Sequence, residues 1–515
     1  MAQNKTKKVA VIGAGISGVC SAAHLLRHGL EVVVFERSGI AGGVWHFDER
    51  SAEDPLYPNE LPSRGDYETR PELAFSTPPP EDVDKDKQEI AHAPPGPCYA
   101  GLKNNVSTRE MRTTLHSWPA GTEDFVNQNV LEEYIQNIAI EHGVSAITQY
   151  HTRVEDVRKQ SGEWLVRTTT LQKGRTGLRF LERRWTFDAV VVASGHYNMP
   201  RIPDFPGLKE WKHGWPDRVW HSKRYRSPRI FQDQNILLIG AGVSSNDIAK
   251  ESAAYANHIY QSSRGGAFDL PASFLPHGAT RIGAVKAFQL NEDHNVSTVN
   301  SGPIPGKVIL ESGEELTNIH SVILCTGYIT SYPFLPHLHR DDVPASQADS
   351  TVLVTAEGDM VHNLHKDMFY IEDPSLVFVG APYHIATFSL FEFQAQAVAR
   401  VLSGKAELPS KQQMREEYNE RVRTRGLGRD FHSLKALGAE EAYVDDLVQW
   451  VNEDAARLGI DDKMQGHTPE WHVAKLGREA RMKLLMSAKE QERQERQEKQ
   501  ERIGVEVLPV TAKTA

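Results

Sequence analysis

Cysteine is scarce in this chain. Cys20, Cys98 and Cys325 are the only three among 515 residues, and no two of them form a CxxC pair. That argues against a dithiol redox centre or a cysteine-held metal. So sparse a set fits a reducing compartment and makes a cytoplasmic location the expectation. No uninterrupted apolar run reaches 18 residues, so no membrane-spanning helix and no membrane partner is expected. The formal charge of −10 is spread along the chain with no basic patch. That argues against a nucleic-acid partner and for solubility. No histidine, cysteine and carboxylate cluster has metal-ligand spacing, and no acid–base triad stands out, so no metal is expected.

Glycine turns, by contrast, occur twice in nearly the same form. "VIGAGISG" runs from Val11 to Gly18 and "LIGAGVSS" from Leu238 to Ser245. The chain is too long for one core, and two or three domains are expected. Lys8 to Ile12 reads as a short buried strand, followed by the turn and an apolar-periodic helix from about Ser17 to Arg27, closed by Gly29. Glu31 to Glu36, "EVVVFE", reads as the next strand, completing a βαβ unit. The opening lysines and apolar run imitate a signal peptide, but Gly13, Gly15 and Gly18 interrupt that run at nucleotide-binding spacing. A second βαβ unit starts at Asn235, with a helix to about Ala256 and the strand "HIYQSS".

The two units differ where a nucleotide would be told apart. In the first, Gly13 allows the tight turn, Gly15 lets phosphate approach, and Gly18 lets helix and strand pack closely. Glu36, 23 residues after Gly13, would accept hydrogen bonds from ribose hydroxyls, which favours NAD or FAD. In the second, Gly240 and Gly242 hold the first two positions and Ser245 the third. Arg264 stands 24 residues after Gly240, where no acid is found. A guanidinium there could bind a 2′-phosphate with two hydrogen bonds, so this turn reads as a site for NADPH rather than NADH. "GGVW", Gly42 to Trp45, would bring backbone and an aromatic ring near a nucleotide in the first turn.

Elsewhere the chain alternates order and irregularity. Ten of its 28 prolines lie between Pro55 and Pro97, which reads as a long surface loop. "FVNQNVLEEYIQNIAIEHG" reads as an amphipathic helix, and short strands are expected at Thr152 to Arg158 and Trp164 to Thr169. "DAVVVASG", ending at Gly195, and "SVILCTGY", from Ser321, read as buried strands ending in small-residue turns. "LVFVG" and "SLFEFQAQAVARVL" read as a strand and helix returning to the first domain. "AKEQERQERQEKQER" near the end is a solvated charged helix or a tail.

Taken in order, "GAGISG", "FER", "GGVW", "GAGVSS" and "CTGY" resemble the flavin-containing monooxygenases over about residues 8 to 400. "YAGLKNNVSTREM" and "WPAGTEDFVNQNVLEEY" are similar to the fungal-type branch. The resemblance implies an α/β fold with two Rossmann-like dinucleotide-binding domains. The NADPH domain would be inserted into the FAD domain, and a helical C-terminal extension would follow. The implied boundaries are 1–205 and 329–485 for the FAD domain with its extension, 206–328 for the NADPH domain, and 486–515 for the charged tail. FAD would bind through Gly13, Gly15, Ser17, Gly18, Glu36, Arg37, Gly43, Val44, Trp45, Asn105, Val106, Val154, Ser194 and Gly195. NADPH would bind in the second turn, through Gly240, Gly242, Ser244, Ser245 and Arg264, and the further implied cofactor-binding residues are Tyr225, Thr326 and Gly327. The family fingerprint F-x-G-x-x-x-H-x-x-x-Y is matched by "WPDRVWHSKRY" at His221 and Tyr225. Trp215 and Asp217 depart from it, and Asp217 puts the local backbone in question because glycine angles are costly for aspartate. Asn105, in "YAGLKNNVS", matches the asparagine the family places beside the flavin and is the candidate catalytic residue.

The implied chemistry is that of the cofactor: NADPH reduces FAD, dioxygen adds to give a flavin 4a-hydroperoxide, and a nucleophilic heteroatom of a small molecule takes one oxygen. The fungal resemblance points to nitrogen, in a secondary metabolite such as an alkaloid. Baeyer–Villiger oxygenation of a ketone and a non-oxygenating redox sensor are the alternatives. The expected partners are the small-molecule substrate and dioxygen, and a homodimer is left open as the assembly.

Overall fold

The computed structural model describes residues 6–58, 61–66, 84–174, 177–266, 268–291 and 302–506. The chain divides into two units. The first comprises Met1–Pro203, Lys223–Arg226 and Gly327–Ala474, and the second Asp204–Ser222, Ser227–Thr326 and Lys475–Ala515.

In the first unit, β1 (Lys8–Ile12) leads into α1 (Ile16–Arg27) and β2 (Glu31–Phe35). The charged loop contains a helix, α2 (Lys85–His92), begun by the Asp84 side chain, which accepts the N–H groups of Asp86 and Lys87. A long irregular surface loop with some ordered part was the expectation there. Asp84 supplies the cap that starts a helix, and residues 59–60 and 67–83 of that stretch lie outside the described residues. Next come α3 (Gln128–Glu141) and β3 (Thr148–Gln149). An antiparallel sheet follows, made of Thr152–Gln160, Glu163–Gly174 and Gly177–Phe187. Its third strand, "GLRFLERRWTF", was not expected. Its exposed positions are Arg179, Leu181, Arg183, Arg184 and Thr186, and only Leu178 and Phe187, which fall on opposite faces, are buried, so no clean alternation marks it. β4 (Ala189–Val192) then returns to the main sheet.

The second unit holds β5 (Val219–His221), β6 (Asn235–Ile239), α4 (Val243–Ser252), β7 (His258–Ser262), β8 (Ala279–Ile282) and β9 (Ser321–Leu324). These strands form one parallel sheet in the order β8-β7-β6-β9-β5. α4 stops a turn short of the expected Ala256. Tyr255 and Ala256 donate their N–H groups to the Ser252 carbonyl, tightening the chain into the approach to β7. An antiparallel ribbon, Val285–Leu290 with Gly306–Leu310 and Glu315–Leu316, lies between β8 and β9 in sequence.

The chain returns to the first unit with β10 (Leu364–His365), β11 (Phe369–Tyr370), β12 (Leu376–Phe378) and α5 (Thr387–Leu402). α6 (Lys411–Arg425) and α7 (Ala439–Arg457) follow. The last helix, α8 (Pro469–Glu506), carries the charged repeat; 507–515 lie outside the described residues.

The main sheet of the first unit runs β10-β11-β12-β4-β1-β2-β3, parallel from β12 through β3. Its strands are apolar on both faces, as a covered parallel sheet requires. Val9, Val11, Val34 and Val191 face one apolar cluster with α1, α3 and α5, while Ala10, Ile12, Phe35 and Val192 face another. The strands therefore end together at one edge, and the loops leaving that edge carry the candidate site.

Candidate functional site

Three glycines in the first turn answer three different demands. A Cβ on Gly13 would lie 2.6 Å from the Ala193 carbonyl oxygen, and one on Gly18 would lie 1.9 Å from the Gly13 carbonyl oxygen. Gly13 also has φ +104°. Both are demanded by packing. Gly15 is not: its Cβ would meet only Gly43, at 3.4 Å. Space beside Gly15 is what an approaching pyrophosphate needs. α1 starts at Gly15 with no side-chain cap, so its first N–H groups are left for a ligand anion.

The groups around the turn converge. Glu36 is buried and accepts the Ala14 N–H at 2.8 Å and the Ser38 N–H at 2.8 Å, which fixes it against the turn. Gly42 donates to the Ala14 carbonyl at 3.1 Å, and Gly43, Val44 and Trp45 form one helical turn beside it. Trp45 and Val106 pack on the same apolar cluster. Ser194 follows β4 and lies against Gly13, and Gly195 next to it has φ +71°. Val154 is buried in a strand whose Thr152 N–H reaches the Glu36 carbonyl at 2.8 Å.

Arg37 turns elsewhere, to Asp66 at 2.9 Å and to the Asn198 side-chain oxygen at 3.1 Å. Buried Lys223 lies 3.6 Å from the same carboxylate and donates to the Asn198 carbonyl at 2.5 Å. Burial pushes the Lys223 ammonium down to about 8, against the pull of Asp66. Burial would raise the Asp66 carboxyl, but Arg37 and Lys223 outweigh it and hold it below the usual carboxylate range. Tyr225 is buried edge-on to Tyr99, ring centres 5.4 Å apart. His221 is fully buried on β5, opposite Leu324. Asp217 does not adopt positive φ, so the fingerprint's glycine position makes no conformational demand here.

The second turn repeats the logic. A Cβ on Gly240 would lie 2.5 Å from the Cys325 carbonyl oxygen, whereas one on Gly242 would meet nothing closer than 4.0 Å. α4 begins there without a side-chain cap. The third position is filled by chemistry rather than by a missing side chain: Ser245 Oγ accepts from Gln261 Nε2 at 2.6 Å, and Gln261 Oε1 accepts from Arg281 Nε at 2.8 Å. Ser244 is exposed at the helix start. Past β7 the loop folds on Asp269, which accepts from Ser263 Oγ and from the Gly266 N–H. Arg264 at its tip is exposed, with no acid partner among the described residues. In "CTGY", Thr326 belongs to the second unit and Gly327 to the first.

The two adjacent asparagines divide the labour. Buried Asn104 ties the loop together: its Nδ2 donates to the Val106 and Asp124 carbonyls, both at 2.7 Å, and its Oδ1 accepts the Val126 N–H at 2.6 Å. Asn105 is exposed and makes no hydrogen bond with another described residue. The amide that holds this loop is therefore that of Asn104, and that of Asn105 is not used in it. Sequence reasoning also passed over Lys223, Asp66 and the Gln261–Arg281 relay. Their one signal was a lysine inside the fingerprint and a polar residue inside an apolar strand.

Two strand–glycine turn–uncapped helix modules, one followed by an acid and one by an arginine, define a flavoprotein oxidoreductase built for two dinucleotides. The flavin-binding monooxygenase-like family profile matches residues 6–56, 95–275 and 302–460. The chain is 43% identical to the flavin-containing monooxygenase ustF2 of Aspergillus flavus, over 92% of this chain and 97% of that one. It is 31% identical to the flavin-containing monooxygenase iboF of Amanita muscaria, over 88% and 89%. Among solved structures it is similar to S-allyl-L-cysteine S-oxygenase from Allium sativum, with 25% identity, 91% of each chain covered and a TM-score of 0.64. The chain belongs to the flavin-containing monooxygenase family. It is an NADPH-dependent flavin monooxygenase that uses FAD. Among the described residues no helix is long and apolar enough to cross a membrane, and no group of acids, histidines and cysteines could hold a metal.

Proposed function

We propose that the first turn holds FAD, the second holds NADPH, and the oxygen goes to a nucleophilic nitrogen of a small molecule, in the manner of a secondary-metabolite enzyme. The observation that carries the assignment is the contrast at the ends of the two second strands, Glu36 against Arg264. A carboxylate bonded to the turn suits a free ribose; an exposed guanidinium without an acid partner among the described residues suits a 2′-phosphate. The chemistry that FAD would supply when bound is acceptance of a hydride from NADPH and activation of dioxygen. The chain's part is placement. Gly15 and the first N–H groups of α1 receive the pyrophosphate, Glu36 the ribose, and Asn105 offers its free amide beside the flavin as a hydrogen-bond donor to the reacting oxygen. Gly242, Ser244 and the start of α4 receive the second pyrophosphate, and Arg264 the 2′-phosphate.

Nitrogen is the reading that the fungal-type resemblance of the motifs suggests, and a heteroatom rather than a ketone carbon is favoured by Tyr225, where the related Baeyer–Villiger enzymes carry tryptophan. A second reading, sulfur, is favoured by the likeness to the Allium S-oxygenase. The test is product formed per NADPH consumed with paired amine, sulfide and ketone substrates. Tight coupling with amines is expected; coupling confined to ketones would overturn the reading.

A further inference from the structure

The order of strands in the main sheet says where the two ends of FAD lie. Glu36 follows β2, on one side of β1, and the pyrophosphate turn follows β1 itself. A dinucleotide with its ribose at Glu36 must therefore send its flavin end the other way, across the ends of β4 and β12. The loop after β12, "GAPYH", is built into that place. A Cβ on Gly380 would lie 2.8 Å from Ser17 Oγ in the first turn of α1, and the Gly380 N–H donates to Gln394 Oε1 at 2.9 Å. Val379 donates to the Val192 carbonyl of β4 at 3.0 Å.

Three residues on stands Tyr383. Its backbone is held on both sides: its N–H donates to the His432 carbonyl at 3.3 Å and its carbonyl accepts the Leu434 N–H at 3.0 Å. Its ring lies edge-on to His196 of the loop after β4, 6.3 Å between centres, and to His384, 4.8 Å. His384 has φ +63°, a costly angle for a residue with a side chain and one that tends to be kept where a site requires it. The Tyr383 hydroxyl is buried and meets no hydrogen-bond partner among the described residues. A buried hydroxyl left unpaired is unfavourable, so one at the edge where a ligand must pass calls for an acceptor. Burial also pushes its pKa up, so the group keeps its proton throughout the working range and can only donate or accept as a neutral hydroxyl. Burial pushes the neighbouring His196 imidazole down to about 4, so it adds no charge.

We propose that Tyr383 is a hydrogen-bond donor to the ribityl-flavin end of bound FAD, a positioning contact supplied by the loop after β12. This rests on the assignment of FAD to the first turn. The test is the isosteric variant Tyr383→Phe, as holoenzyme, with two readouts. FAD release after dilution, followed by flavin fluorescence, gives the dissociation constant; loss of one neutral hydrogen bond is expected to weaken binding by about three- to tenfold. The thermal midpoint, measured over a series of FAD concentrations, separates binding from folding. A contact to FAD lowers the FAD-dependent increment, whereas a structural role lowers the midpoint equally at every concentration. An unchanged dissociation constant, or a concentration-independent shift alone, would overturn the proposal. A wild-type protein that fails to retain FAD would instead sink the assignment on which it rests.

Discussion

Replacing Gly15 and Gly18 by alanine, one at a time, separates ligand approach from packing inside a single turn. At Gly18 the new Cβ would lie 1.9 Å from the Gly13 carbonyl oxygen, which is backbone and cannot swing away. Helix and strand must part, at a cost of about 1–3 kcal/mol or more. At Gly15 the new Cβ would lie 3.4 Å from Gly43, at the edge of ordinary contact, and Gly15 already sits at φ −74°, ψ −175°, which alanine adopts freely. Losing glycine's unfolded-state freedom should even stabilise the chain by about 0.4–1 kcal/mol. What Gly15→Ala does block is the pyrophosphate. Loss of one charge-assisted hydrogen bond is worth about 1.5–3 kcal/mol, or roughly tenfold to 150-fold in FAD affinity. The assay is paired: urea denaturation of FAD-free protein for stability, and FAD retained after dilution for binding. Gly15→Ala should be as stable as wild type and FAD-poor; Gly18→Ala should be destabilised. Full FAD affinity in Gly15→Ala, or unchanged stability in Gly18→Ala, would refute the division of roles.

Arg264→Ala should raise the Michaelis constant for NADPH by roughly tenfold to a hundredfold while leaving NADH nearly unaffected; equal losses for both would show that the arginine does not meet the 2′-phosphate. Asn105→Ala should leave FAD content and NADPH-driven reduction close to normal but lower product by about a hundredfold, with hydrogen peroxide accounting for the difference; normal coupling would remove Asn105 from the chemistry. Asn104→Ala, by contrast, should lower the thermal midpoint, because it strands the Val126 N–H and the Val106 carbonyl and takes one of two donors from the Asp124 carbonyl, and an unchanged midpoint would contradict its structural role. For Lys223 the sign follows from its depressed value of about 8 against an ordinary 10.5: the folded state binds fewer protons than the unfolded state between those values, so stability rises with pH there. Denaturation of wild type and Lys223→Met from pH 7 to 10.5 should show wild type gaining on the variant above pH 8, and parallel curves would contradict it.

Most of the frame was legible in the chain because it is local. Val9 to Ile12 and Val322 to Leu324 are continuous apolar runs, and a glycine turn after such a run fixes what must follow. β8 was hidden because it is four residues long with polar Thr280 and Arg281 at its centre, and the strand Gly177–Phe187 because arginines break its alternation, so both resemble a loop. The helix inside the proline-rich loop was hidden by composition, although Asp84 marked its start. The site was legible as far as its glycines. The distinction between Gly15 and its two neighbours needed distances, since all three are the same residue type. The exchange of roles between Asn104 and Asn105 was likewise invisible, because only partners 20 and 22 residues away, Asp124 and Val126, decide which amide is used up. Tyr383 lies some 370 residues after the first turn, and only the pairing of β12 with β4 brings its loop to the sheet edge where that turn lies.

The most direct test of the account is oxygen-isotope transfer. Purified enzyme is mixed with NADPH, labelled dioxygen and a paired set of amine and sulfide substrates, and the product is weighed by mass spectrometry against NADPH consumed. The account predicts one labelled oxygen atom in the oxygenated amine for each NADPH oxidised, with little hydrogen peroxide. An unlabelled product, or NADPH oxidation that returns all of the dioxygen as hydrogen peroxide with every heteroatom substrate, would contradict it.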